Sequence, residues 1–205
     1  MWYYFVYFEN NKSMNTKDIL KDLKELQERQ PDLIIREIKV GIFKHAYIVV
    51  NQSVSSGDRV NDFVLKYFSS KNIFGSNVLK NLRKRIEENI PSINYVPVES
   101  KEKLLELLFS GFTIVIYDNQ FSAYETRGEL DRGVNIPQSE PVVRGPKDSF
   151  TENYNANLGL VRKRIKSEHL VLNELTVGRE TKSKVGILYM DNICEDDLVE
   201  SVKSS

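Results

Sequence analysis

The sequence predicts an α/β fold made of two lobes, each with a mixed sheet, the second lobe incomplete. Three features predict it: helical and strand periodicities alternate along the chain, an α-β-β-α unit occurs twice, and a connection rich in glycine and proline separates the copies. The expected division is an aromatic segment 1–13, a first α/β subdomain 14–126, a connecting loop 127–149 and a second, partial subdomain 150–205.

Residues 18–29 set Ile19, Leu20, Leu23 and Leu26 at helical spacing, with Asn15 or Thr16 as N-cap and Pro31 beyond the end. LIIREIKV (33–40) is rich in β-branched residues and closes on Gly41, and AYIVVN (46–51) resumes after a short polar turn, so the pair reads as a hairpin. Helices are expected over 60–68 and 76–89, the second with Val78, Leu79, Leu82 and Ile86 on one face and Pro91 closing it. INYVPV (93–98) is a short strand that Pro97 pushes toward a sheet edge. Ser100 caps a helix carrying Leu104, Leu105, Leu107 and Leu108, which Gly111 ends from the C′ position. TIVIYD (113–118) reads as a buried strand, Asn119-Gln120 as a tight turn, and FSAYET (121–126) as the returning strand.

The stretch 127–147 carries Gly128, Gly133, Pro137 and Pro141, with Gly145-Pro146 close behind, and no periodic element, so it is a connection longer than most. A helix over 150–166 then places Phe150, Tyr154, Leu158, Val161 and Ile165 on one stripe. HLVLNELTVG (169–178) and KVGILYMD (184–191) form a second hairpin, and a helix follows from Glu195. Aligning DLIIREIKVG (32–41) with HLVLNELTVG (169–178) matches Leu33 with Leu170, Glu37 with Glu174 and Val40 with Val177, and makes Gly41 and Gly178 equivalent repeat turns. A full second copy calls for a further helix, strand, helix and hairpin. Without them, the hairpin at 170–190 either finds sheet partners in the first lobe or leaves an edge open to another chain.

Composition narrows the function classes. With 40% hydrophobic and 28% charged residues and 29 basic against 29 acidic side chains, the chain reads as soluble and globular, with no global field for nucleic acid or an anionic membrane. The single cysteine, Cys194, forms no internal disulfide, two distant histidines argue against a zinc site, and a reducing compartment fits. MWYYFVYF is too short and lacks the basic flank of a signal peptide, and the apolar region 104–117 falls short of a membrane span.

Candidate sites are few. Arg144, Gly145, Pro146 and Lys147 precede a helix, where free N–H groups favour an anion, but Ser149 and Glu152 have capping-box spacing that satisfies those groups internally. Glu125, Glu129 and Asp131 near Arg127 and Arg132 read as a solvated, salt-bridged loop. His45 and His169 read as surface or turn residues, Cys194 is surrounded by acids that disfavour its thiolate, and RKRIK (162–166) supplies cations to a helix C-terminus. Metal and cofactor sites are absent from this inventory, and an enzyme is the least supported class.

The series YETRG (124–128), IPQSEPVVRGPKDSFTEN (136–153), NLGLVRKRIK (157–166), LTVGRETKSKVGILYMD (175–191) and DLVESV (197–202) resembles the cytoplasmic N-terminal domain of the A subunit of GerA-type spore germination receptors. The likeness extends to the first lobe through LIIREIKVG and LLFSGFTIVIYDN. Three departures stand out: the aromatic start in place of a basic one, the absence of the rest of the second lobe and of membrane helices, and a less basic RETKSK turn (179–184). The sequence is therefore similar to a fragment of such a subunit. The resemblance implies a two-lobed domain on the cytoplasmic face of the spore inner membrane, partnered by B and C subunits and by other A subunits, acting in nutrient-triggered germination without catalysis.

Two roles follow from that resemblance. In the first, the domain is a signalling or assembly module whose lobes reorient about the 127–149 connection, with Arg144 as a pin to strand-end carbonyls and a carboxylate such as Glu140 or Glu152. In the second, an inter-lobe cleft takes an anion or amino acid through Arg127, Arg132, Arg144 and Lys147.

Overall fold

The computed structural model describes residues 14–40, 44–66, 80–82, 84, 94–128 and 149–204. Helix α1 (Thr16–Arg29) starts where the Asn15 side chain accepts from the Lys17 amide, which settles the choice of cap. It buries Ile19, Leu20, Leu23 and Leu26. Strands β1 (Leu33–Val40) and β2 (Lys44–Asn51) form an eight-residue antiparallel ladder from Leu33 opposite Asn51 to Val40 opposite Lys44. Helix α2 (Gly57–Arg59) is capped by Ser56 and runs on as a π-helical turn over Val60–Leu65. It thus starts earlier than the expected 60–68, because Ser56 satisfies the Arg59 amide.

Strand β3 (Tyr95–Pro97) is short, as Pro97 dictates. Helix α3 (Lys101–Phe109), capped by Ser100, leads through Gly111 into β4 (Phe112–Tyr117) and β5 (Gln120–Glu125). The turn between β4 and β5 falls on Asp118-Asn119, both left-handed at φ 53° and 59°, one residue before the expected Asn119-Gln120. Asp and Asn tolerate that conformation, and two such residues match the twist of a hairpin.

The strand order is β1-β2-β4-β5-β3, and every described pair is antiparallel. The α/β class holds, while the expectation of mixed sheets is corrected: neighbouring strands are joined by hairpins or return through α3 in the opposite sense. β4 is buried at all six positions because helices cover both faces. On one face α1 and α3 pack Leu23, Leu26, Leu104 and Leu108 against Leu33, Val49, Ile114 and Ile116. On the other, Val60, Val64 and Leu82 meet Ile48, Val115, Tyr117 and Tyr124. Burying each such side chain contributes about 1.5–3 kcal/mol. Of the helix expected over 76–89, residues 80–82 and 84 are helical and the remainder lie outside the described residues.

The α-β-β order then recurs as α4 (Tyr154–Arg164), β6 (Leu170–Val177) and β7 (Ser183–Met190), closed by α5 (Asp196–Ser204). β6 and β7 again pair over eight residues, from Leu170 opposite Met190 to Val177 opposite Ser183. Gly178 leaves β6 at φ +87°; its counterpart Gly41 lies outside the described residues. The expected start of the second helix at Phe150 is corrected to Tyr154. The cap of this helix is Asn153, which accepts from the Ala156 amide, rather than the expected Ser149 with Glu152. Upstream, the Thr151 amide donates to Asn157 Oδ1 and Asn157 Nδ2 donates to the Thr151 carbonyl, both at 2.7 Å, which holds the chain off the helix path. Phe150 is left 69% exposed rather than on the buried stripe.

Candidate functional site

The five-stranded sheet and the β6-β7 ribbon meet at one buried charge. Arg162, on α4, is 0% exposed. Its Nε donates to Asp32 Oδ2 at 3.0 Å, Nη2 to Asp32 Oδ1 at 2.9 Å and Nη1 to the Leu170 carbonyl at 2.7 Å. The Phe109 ring lies 5.6 Å from the guanidinium carbon, and Ser53 Oγ donates to the same carboxylate at 2.8 Å. A planar fork against a carboxylate is the geometry that arginine supplies and lysine cannot. Asp32 sits in the α1–β1 turn, where Pro31 ends the helix, and is carried into the joint by the burial of Leu33.

A second ring of contacts surrounds this pair. Gln30 Nε2 donates to the Glu168 carbonyl at 2.6 Å. Arg29 pairs with Asp191, whose other oxygen lies 2.8 Å from His169 Nδ1. Half-exposed charges of this kind contribute little individually, so the joint rests on Arg162 and Asp32.

Beside the joint is a cleft of about 530 Å³ between the β1-β2 end of the sheet and the elements α4, β6 and β7. Its floor is Ile34, Ile48 and Val50, its charged rim is Arg36, Glu174 and Lys184, and the Asp32 held by Arg162 lies at its inner end. Tyr154 contacts two of these residues: its hydroxyl donates to Glu174 Oε1 at 3.0 Å, and Lys184 Nζ lies 6.0 Å from the ring centroid. Burial, reinforced by the Glu174 carboxylate, pushes the Tyr154 hydroxyl up to about 12. The ring lies on Gly186, where a Cβ would approach the hydroxyl to 2.7 Å.

The residues singled out in the sequence are placed unevenly. Arg132, Glu140, Arg144, Gly145 and Lys147 lie outside the described residues, as do Glu129 and Asp131. Arg127 packs over Phe112 at 5.2 Å, with its Nε 3.3 Å from Glu125 Oε1, and does not line the cleft. Glu152 is exposed. His45 Nδ1 lies 2.7 Å from Glu37 Oε1 on the first hairpin. Cys194 is partly exposed, with its Sγ 3.8 Å from the Glu195 carbonyl oxygen. Among the described residues no group of three His, Cys, Asp or Glu side chains is arranged to hold a metal, and no helix is long and apolar enough to cross a membrane.

Reading 162–166 only as dipole-matching cations missed Arg162. Four residues after buried Leu158, it shares that helix face, whereas Lys163 and Arg164 are exposed.

Residues 21–205 match the family described as Bacillus/Clostridium GerA spore germination protein. The chain belongs to the GerA family. This GerA-family chain is 35% identical over 107 residues to spore germination protein B1 of Bacillus subtilis (strain 168), covering 51% of the chain and 22% of the relative. It is 25% identical over 192 residues to spore germination protein KA of the same organism, covering 91% and 35%. It therefore spans only about a fifth to a third of these two curated relatives. Among solved structures, the N-terminal domain of the A subunit of the Bacillus megaterium spore germinant receptor GerK3 superposes with a TM-score of 0.69 at 24% identity, over 92% of this chain and 69% of that one. That likeness supports the fold.

Proposed function

We propose that this GerA-family chain is the N-terminal, extramembrane module of a germinant-receptor A subunit, and that it works without catalysis by holding and passing on a relative orientation of two lobes. The lobes are taken as 14–126 and 150–205, joined by the connection 127–149. One observation carries the reading: a fully buried arginine on the second lobe is spent on a carboxylate of the first. A buried ion pair adds little net stability over an apolar pair, and its best-attested use is to fix one arrangement among several. Arg162 would thus act as a pin between Asp32 and the Leu170 carbonyl, a role also expected of Arg144, which lies outside the described residues. The module would sit on the cytoplasmic side of the spore inner membrane with B and C subunits and further A subunits as partners.

The test is Arg162→Lys in the receptor that contains this chain. Lysine keeps the charge and loses the fork. Spores carrying it should hold normal amounts of the A subunit yet germinate poorly on nutrient. Normal germination at normal abundance would overturn the reading.

A second reading is supported by the cleft, whose apolar floor and rim of two cations and the Glu174 carboxylate suit a small zwitterion such as an amino acid. Arg36 and Lys184 would face the anion; of the groups expected there, Arg127 does not line the cleft, and Arg132, Arg144 and Lys147 lie outside the described residues.

A further inference from the structure

Each member of the buried ion pair also has a partner in its own lobe. Asp32 accepts from Ser53 Oγ at 2.8 Å, and Arg162 Nη1 donates to the Leu170 carbonyl at 2.7 Å. The second bond has a counterpart in the first repeat. Gln27, like Arg162 the third residue from the end of its helix, donates from Nε2 at 2.9 Å to the carbonyl of Leu33, which aligns with Leu170. The Nη1 bond therefore ties α4 to its own strand as Gln27 ties α1, and Nε with Nη2 serves the joint.

The backbone does not weld the lobes together. Among the described residues no backbone–backbone hydrogen bond runs between them, and the two sheets share no strand. The bonds that Arg29 and Gln30 make across the joint come from side chains.

We propose, building on the two-lobe reading above, that Arg162 and Asp32 form a latch that opens while both lobes stay folded. On opening, Asp32 keeps Ser53 and Arg162 keeps the Leu170 carbonyl, so neither charge is stranded. Asp32 and Ser53 line the adjoining cleft, which gives water a way in. Hydration then returns much of the desolvation free energy that closing the pair costs. An apolar pair at the same place would regain nothing on exposure, so a charge pair suits a joint that must part.

Native-state hydrogen exchange of the wild-type chain, followed by NMR, tests the latch through the Nε–H of Arg162. That proton is buried and bonded to Asp32 Oδ2, so it exchanges when the joint opens. Corrected for its unprotected rate, it should exchange at least about tenfold faster than the slowest amides of β4, the strand buried at every position. Low denaturant should leave its rate nearly unchanged, because local opening exposes little surface. Protection equal to that of the slowest β4 amides, with the same denaturant dependence, would overturn the latch. The spores carrying Arg162→Lys keep the two ideas apart. Poor germination beside a fully protected Nε–H means a permanent pin and no latch, whereas normal germination beside fast exchange leaves the latch standing and removes its signalling role.

Discussion

A guanidinium shut away from water must find protein acceptors for its N–H groups, and Arg162 finds three, two of them on one carboxylate. Arg162→Met leaves Asp32 buried with Ser53 as its described partner. It should lower the free energy of unfolding by about 3–5 kcal/mol in chemical denaturation. Adding Asp32→Leu should recover much of that loss, because an apolar pair replaces the ions without stranding one of them. Tyr154 gives a second prediction. Its hydroxyl is raised from 10.0 to about 12, so the folded state resists its ionisation. The stability this contributes is fully present below pH 10 and is lost as pH rises toward 12. Wild type should therefore lose more stability than Tyr154→Phe across that window, as read from alkaline melting curves. Neither residue was legible as part of a site in the sequence: a buried arginine and a solvated one are the same letter, and Asp32 lies 130 positions from its partner.

Elements were more legible than sites, because periodicity is local. The span 33–40 and the Asn15 and Ser100 caps appear where spacing and cap chemistry put them. The failures lie where a few side chains override the pattern: the Thr151–Asn157 bonds delay α4, and Asp118 takes the first left-handed turn position. Sheet direction was legible within the three hairpins but not for β2 with β4 or β3 with β5, where it depends on which distant strands meet. Gly111 illustrates an element boundary that sequence does locate. It leaves α3 at φ +87°, and a Cβ there would stand 2.8 Å from the Val54 carbonyl oxygen and 2.9 Å from Arg127 Cγ. Gly111→Ala combines left-handed strain with this crowding and should cost about 2–4 kcal/mol. Thermal melting of the variant checks it, and an unchanged midpoint would refute the account.

For the whole molecule, the cleft separates the two functional readings. If it binds a nutrient amino acid, the compound at about 100 times its Kd should stabilise the chain by about 2.7 kcal/mol in a thermal-shift screen, and Arg36→Ala with Lys184→Ala should abolish the shift. No shift across amino acids and phosphates would leave the cleft as a gap between lobes. The joint itself has a mechanical consequence. Arg162 grips the residue just before β1 and the first residue of β6, one position from equivalence in the two repeats, at the root of the ribbon. Gly178, just past the far end of β6, lies eight residues from Leu170, about 27 Å at strand rise. A turn of about 10° about that root would carry the tip about 5 Å while hardly displacing the buried ions. The charge pair then acts as a fulcrum, and the ribbon as a lever whose tip, at Gly178, reports small rotations as large displacements.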